Sequence, residues 1–419
     1  MKHNPTKILL IIAFFIIPLL SFPQTKEEAK EIADYTFEIY KQLHQYPELG
    51  KQEFRTAQLI KKELQKIGYT QFYDVPNLPT CVITVLDSKN EGHVIAFRAD
   101  IDARPGKENT GLPYSSKIDT TIHSCGHDAH TAILLGTAKH LYSQKKNLKG
   151  KIYFIFQPAE ETKGGADDIV NSGILTQLKI EKMFALHAAN KVPVGTVAIA
   201  PGYFMAGSNY FTIQIEGKGS HAASPNEGSN VPVLTSQVIE SIASIPAIKM
   251  NISMRPCVIS VTMVELGSET ALNVIPTKSV IKGTIRAYEQ VDSPFQNQPS
   301  IKDILTKEIN GLCSAQNATA KIEIIKASPP THNNELLFNS LVPRLSKVFS
   351  GTIDSSPTRL MFAEDFSYYT EIIPCLYFGL GIAKDKLGSA NVHTNEFSFH
   401  PDAFIYGIEL FNKIAMMNP

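Results

Sequence analysis

Residues 121–131 read Thr-Ile-His-Ser-Cys-Gly-His-Asp-Ala-His-Thr, and this stretch restricts the fold more than any other. Cys125, His127 and His130 stand beside Asp128, with Gly126 leaving the backbone free to bend. Thiolate, imidazole and carboxylate, the main metal-ligating groups of proteins, thus fall within one short segment. An apolar segment with helical spacing, from Thr131 to Tyr142, follows at once. The cluster is therefore placed at a strand-to-helix turn, where a site can face solvent. The plain alternative is a polar loop in which Asp128 caps the helix. Acids and histidines that recur downstream favour the site.

Two helical segments precede it. Ile32, Tyr35, Ile39, Tyr40 and Leu43 share one face of a helix over 26–46, ended by Pro47 and Gly50. Phe54, Ala57, Ile60, Leu64 and Ile67 share a face of the next, ended by Gly68. Short apolar runs of strand length follow at 81–86, 94–97, 152–156, 183–186 and 197–200. Strands alternating with helices imply an α/β sheet covered on both faces. Polar groups fall at the C-terminal ends of these runs: Arg98, Asp100 and Asp102 after one, Gln157, Glu160 and Glu161 after another, His187 after a third. Open α/β sheets carry their sites at those ends.

From about residue 204 the pattern changes. Strand 211–215, helix 231–245, strands 258–264 and 280–285, helix 301–315 and strand 320–325 follow one another. The order β-α-β-β-α-β is that of the ferredoxin-like split motif. The 419 residues are too many for one ordinary domain. The expected division is a first catalytic part over 25–203, an inserted domain over 204–330 and a second catalytic part over 331–419.

Residues 1–24 read as an export signal. Lys2 and Lys7 give a positive start, and the apolar run 8–20 is short for a membrane span and fits a signal core. Ser21-Phe22-Pro23-Gln24 is a poor cleavage site, so a retained membrane anchor is the alternative to a periplasmic or secreted chain. No membrane association is expected of the mature chain. The five cysteines are scattered, which is no disulfide framework. The 40 basic residues balance the 40 acidic ones, which excludes a polyanion such as nucleic acid as an expected partner.

Glu160 and Glu161 follow a buried strand and a proline. Adjacent side chains on an extended backbone point opposite ways, so one carboxylate can bind metal while its neighbour faces the water beside it. Asp100 and Asp102 share a face by their spacing and can orient a ligating histidine. His187 and His393 are candidate ligands, although each taken alone reads more readily as an ordinary loop or strand-end histidine. His221 sits in a glycine-rich turn. Arg286 carries the planar fork that suits a substrate carboxylate. A thiol-enzyme reading, with Cys125 as nucleophile and His127 as its base, leaves Glu160, Glu161 and His187 unused.

These motifs resemble the M20 metallopeptidase family. The likeness is greatest to its N-acyl-amino-acid amidohydrolases, which include hippurate hydrolases and plant auxin-conjugate hydrolases. It runs through LHQYPELGKQEFRTAQLI from Leu43, RADID at 98–102, HSCGHDAHTA at 123–132, FQPAEE at 156–161 and ALHA at 185–188. It continues through GKGSHAASP at 217–225, LNVIP at 272–276, GTIR at 283–286, AEDFS at 363–367 and VHTNEF at 392–397. The resemblance implies a zinc-peptidase-like α/β catalytic domain with two divalent metal ions, and an inserted ferredoxin-like domain acting as lid and dimer interface.

It further implies that Cys125, His127, Glu161, His187 and His393 are the metal ligands. Glu160 would be the general base, with Asp102 supporting a ligand. His221, reaching from a partner subunit of a homodimer, would stabilise the oxyanion. Asn273 and Arg286 would contact substrate, and a Gly379–Gly381 loop would lie near it. The expected substrate is an N-acyl amino acid, with a dipeptidase, a carboxypeptidase or a catalytically silent metal-binding protein as alternatives. A thiolate ligand favours zinc, and manganese, cobalt or nickel suit the same donors. The chain departs from the family pattern at Arg104, where an aliphatic residue is usual, at Phe362, where glycine is usual, and at His400-Pro401.

Overall fold

The computed structural model describes residues 26–162 and 164–419; the export reading, which falls on residues 1–24, lies outside the described residues. The chain opens with helices α1 (Lys26–His44) and α2 (Phe54–Ile67). Strands β1 (Phe72–Tyr73), β2 (Val82–Asp87) and β3 (Val94–Asp100) come next, then helix α3 (His127–Ser143). Strands β4 (Lys151–Gln157), β5 (Lys182–Pro193) and β6 (Thr196–Ala198) follow. The inserted unit holds β7 (Gly207–Glu216), α4 (Val231–Ile248), β8 (Cys257–Leu266), β9 (Lys278–Ala287), α5 (Ile301–Ala315) and β10 (Thr319–Ser328). The chain then returns through α6 (Glu335–Leu345), β11 (Thr352–Asp354), β12 (Cys375–Ala383) and α7 (Ala403–Met417).

The larger sheet is mixed, in the order β1-β2-β4-β3-β5-β12-β6-β11. Its central pairs β4/β3, β3/β5 and β5/β12 are parallel. Alternation along each strand fills both faces. Phe97, Phe154, Phe156 and Phe184 face one core with α1, α2, α3 and α7. Ala96, Tyr153, Ile155 and Met183 face another with Ile169, Phe204 and Phe366. A sheet covered on both sides can present functional groups only at its strand ends.

The inserted unit is a separate four-stranded sheet, β8-β9-β7-β10, antiparallel throughout. Ile213, Ile215, Ile281 and Ile285 pack under α4 and α5 through Val238, Ile242, Leu305 and Ile309. This is the split βαββαβ arrangement expected from the sequence, and the whole is a two-domain α/β fold.

Three expectations need correction. The third helix begins at His127, not near Thr131, so His127, Asp128 and His130 lie in its first turn. Gly126 makes this start feasible with a φ of 94°, a left-handed conformation that side chains disfavour. His187 does not end its strand. β3 stops pairing with β5 at Arg98 opposite Ala185, while β12 keeps β5 extended to Pro193. His187 is therefore exposed towards the site just where one neighbouring strand leaves. Gly379 and Gly381 are not in a loop but in β12, with Gly379 opposite His187. A side chain at 381 would meet the Pro193 carbonyl oxygen at 2.1 Å, so glycine there permits close strand packing.

Helix α1 is tied to α3 by a buried charge cluster. His44 Nδ1 lies 2.6 Å from Asp128 Oδ2 and its Nε2 lies 3.3 Å from Glu108 Oε1. Burial works against a charged His44, but its bonds to Asp128 and Glu108 prevail and raise its pKa to about 9. A folded-state pKa above the ordinary 6.5 gives stability that is complete below pH 6.5 and lost as pH rises through 9, on the order of 3 kcal/mol. We expect the unfolding temperature of the metal-free protein to fall over that window, and to fall much less in His44→Gln. Parallel pH profiles for the two proteins in circular-dichroism melts would refute this.

Candidate metal centre

The strand ends and the first turn of α3 converge on one cluster of donors. Cys125 Sγ lies 3.3 Å from His187 Nε2 and 3.3 Å from His393 Nε2. Two donor sets share this sulfur: Cys125, His127 and His187 form one, and Cys125, Glu161 and His393 form the other. His127, Glu160 and Glu161 form a third overlapping set. The structure thus brings together the five expected ligands and the expected base.

Each of these candidate donors is aimed by the surrounding chain. His127 Nδ1 lies 2.9 Å from the Asp102 carbonyl oxygen and 3.2 Å from Asp102 Oδ1. A proton on Nδ1 satisfies these acceptors and turns Nε2 towards the donors. That Nε2 is buried and has no hydrogen-bond partner. The Asp102 carboxylate also accepts the backbone N–H groups of Glu160 at 3.1 Å and Glu161 at 3.0 Å. One side chain therefore positions both His127 and the Glu-Glu turn. His187 Nδ1 lies 2.9 Å from the Ala188 carbonyl oxygen, which leaves its Nε2 facing Cys125. His393 sits at φ 67°, a conformation uncommon outside glycine, and its N–H donates to Ser124 O at 2.7 Å. Backbone held in that region is typical of sites that need a side chain aimed.

The Glu-Glu pair is not on extended backbone, contrary to expectation. Ala159, at φ 60°, turns the chain so that both carboxylates reach His127. Glu53 Oε1 holds this turn by accepting the Ala159 N–H at 2.9 Å.

Asp100 serves a different histidine from the one expected of its neighbour. It lies 2.6 Å from His130 Nδ1, and His130 Nε2 accepts the Ala188 N–H at 2.9 Å. His130 thus braces the strand beside His187. Behind it, the fully buried Arg98 donates to Asp100 at 2.6 Å, Glu364 at 3.0 Å, Asp365 at 2.7 Å and Gln157 at 2.9 Å. Tyr377 donates to Glu364 at 2.6 Å. Sequence reasoning assigned no role to Glu53, Arg98, His130, Gln157, Glu364 or Asp365. The motifs at 98–102 and 363–367 marked three of them, Arg98, Glu364 and Asp365, but neither said that the two segments meet.

The electrostatics suit a cation. Burial and the nearby Glu364, Glu161 and Asp365 carboxylates push the Glu160 carboxyl well above the usual range. Burial opposes a charged His127, yet Asp100 and Cys125 raise its pKa well above that of free imidazole. Glu161 is held at about 2: burial raises it, but the bond from His393 and the His127 charge prevail. Burial, with His130, lowers His187 to about 4 and keeps its imidazole neutral. Burial and then Glu161 push the Cys125 thiol up, the reverse of what a thiol nucleophile needs. A partnerless buried imidazole nitrogen, a shared sulfur and converging carboxylates fit a pair of divalent ions.

His221, Asn273 and Arg286 lie apart, in the inserted unit. His221 is in a two-residue ladder, Ser220–His221 against Val274–Ile275, and Ala222 N donates to Asn273 O at 2.9 Å. Arg286 stands on β9 opposite Ser208 and Val258, and its buried Nη1 has no hydrogen-bond partner. Phe362 is exposed, and Arg104 lies inside the donor cluster.

The sequence profile described as "Peptidase family M20/M25/M40" matches residues 96–417. The chain is 33% identical over 378 residues to "N-acetylcysteine deacetylase" of Bacillus subtilis (strain 168), covering 90% of this chain and 94% of that protein. It is 31% identical over 386 residues to "Thermostable carboxypeptidase 1" of Saccharolobus solfataricus, covering 91% and 95%. Its fold superposes with a TM-score of 0.80 on the Bacillus subtilis YXEP protein, described as a dinuclear metal binding peptidase from the M20 family. The two share 28% identity, over 93% of this chain and 98% of that one.

Proposed function

The chain belongs to the M20 peptidase family, and from that premise we propose that it hydrolyses the amide bond of N-acyl amino acids to a carboxylic acid and a free amino acid. The observation that carries this reading is the pair of donor sets sharing Cys125 Sγ, with the Glu160 carboxylate 3.8 Å from His127 Nε2. Cys125, His127, Glu161, His187 and His393 would hold two divalent ions, zinc or manganese first and cobalt or nickel on the same donors. When bound, such ions supply Lewis acidity and lower the pKa of water towards neutrality.

The remaining work falls to the chain. Glu160 takes the proton from the attacking water as its oxygen bonds to the amide carbon. The C–N bond then breaks, and Glu160 returns the proton to the departing amine nitrogen. His221 donates to the carbonyl oxygen as charge develops, and one such donor is worth about 3 kcal/mol. Arg286, whose Nη1 is buried without a partner, clamps the substrate carboxylate, and Asn273 stands beside His221.

His221 reaches a catalytic centre through a homodimer. β8 is an unpaired sheet edge with Val258, Val264 and Leu266 exposed, and α4 exposes Val233 and Ile248. An apolar open edge is a pairing hazard unless a partner covers it. The division at 204 and 330 is part of this reading, and the separate sheet built from strands between Gly207 and Ser328 supports it. Residues 1–24 direct export and are then removed.

The similarity to a protein named carboxypeptidase supports a second reading, cleavage of a peptide bond by the same groups. The exported chain, loaded with zinc or manganese, should release amine from N-acetyl, N-benzoyl or long-chain N-acyl amino acids. A chelator should reduce the rate by at least about 100-fold, in line with the loss of a metal-generated nucleophile. The same preparation should sediment as a dimer and start after residue 24. Turnover of dipeptides alone selects the peptidase reading, and chelator-resistant turnover overturns both.

A further inference from the structure

Arg104 enters the donor cluster from a fixed base. Residues Arg104–Pro105 pair with Thr121–Ile122, just before the ligand segment. Ala103 N donates to Glu48 O at 2.8 Å and Gly106 N to Thr120 O at 3.0 Å. Proline follows directly, with its fixed φ. The backbone is thereby held on both sides, and only the side chain, 32% exposed, is free to move.

Its Nη1 donates to Glu161 Oε2 at 2.6 Å and lies 3.3 Å from His393 Nε2. Those are two of the three donors in the Cys125, Glu161 and His393 set. Hydrogen bonds of the guanidinium go to Glu161 and His393, whereas His127 and His187 complete the other set with Cys125. A guanidinium N–H and a divalent ion need the same lone pairs, and arginine stays charged at any working pH. Two cations a few ångströms apart in a partly buried site repel strongly, because little water lies between to screen them.

We propose that Arg104 competes with the second divalent ion for Glu161 and His393, so that the two ions bind with unequal affinity. The Cys125, His127 and His187 set fills first. The second ion binds only when Arg104 withdraws towards the mouth of the site, where its exposed side chain has room to move. Loading then depends on the free ion concentration, and the protein is half-loaded over a range in which a chain without this arginine is full. The proposal rests on the metal-centre reading above.

The test is a zinc titration of the metal-stripped mature protein against a chromophoric chelator, with bound zinc counted by mass spectrometry. Wild type should bind the second zinc at least about tenfold more weakly than the first. Arg104→Leu should tighten the second step by about 10- to 100-fold and leave the first unchanged. Arg104→Gln, which keeps hydrogen bonding without the charge, should tighten the same step and guards against misfolding in the leucine variant. Equal affinities in wild type, or identical constants in the variants and wild type, overturn the proposal while leaving the two-metal centre intact. Failure of wild type and variants alike to bind zinc overturns the metal centre itself.

Discussion

Glu160→Gln is expected to reduce kcat by about 10³-fold, or about 4 kcal/mol in the barrier, with two metal ions still bound. The amide preserves the shape of the side chain but can neither take a proton from water nor return one to the leaving amine. Glu160 is distinguished from Glu161 by its surroundings. Burial with Glu364, Glu161 and Asp365 raises the first, whereas His393 and His127 hold the second as an anion at about 2. One environment suits a proton carrier and the other a ligand. KM should change little, since no role in binding is assigned to this carboxyl. Metal content by mass spectrometry separates loss of the base from loss of the centre. A variant within tenfold of wild type would remove Glu160 from the mechanism, and a variant short of one metal would make it a ligand.

Arg98→Met should cost about 3 to 5 kcal/mol of stability, because it strips the guanidinium from a buried cluster of carboxylates. Arg98 is held by Asp100, Glu364, Asp365 and Gln157, all within 3.0 Å. Burial disfavours a charged Glu364, yet Arg98 keeps its pKa below the usual range. Without the arginine, Asp100 and Glu364 remain buried, and their charge is left uncompensated. Breaking such a set by removing one partner costs far more than replacing all of it. Arg98→Met with Glu364→Gln should therefore recover part of the loss, which a double-mutant cycle on chemical unfolding measures. A loss under about 1 kcal/mol, or strict additivity, would show that the cluster is not coupled.

The effect should also reach the site. Arg98 fixes Asp100, Asp100 fixes His130, and His130 holds the Ala188 N–H beside His187. A ligand histidine is commonly oriented by partners behind it, and those partners matter to metal affinity nearly as much as the ligand.

The sequence alone determined the chemistry and the architecture. Ligand types are visible as residue letters, and the HSCGHDAH and PAEE segments pack several into a few positions. Hydrophobic spacing of 2.0 and 3.6 residues is local, so the alternating strands and helices and the inserted βαββαβ unit were legible along the chain. The tertiary structure decided what local spacing does not encode. It set the start of α3 at His127, where Gly126 takes a left-handed turn and lies close against Ala188. It kept His187 inside β5, because β12 extends past the end of β3. It turned both glutamates inward, because Ala159 is held at positive φ by Glu53, more than a hundred positions earlier. It joined Arg98 to Glu364 and Arg104 to Glu161 and His393, pairs separated by 266, 57 and 289 positions. The strength of a buried charge depends on what excludes water around it, and that is a property of the packed molecule rather than of any stretch of chain.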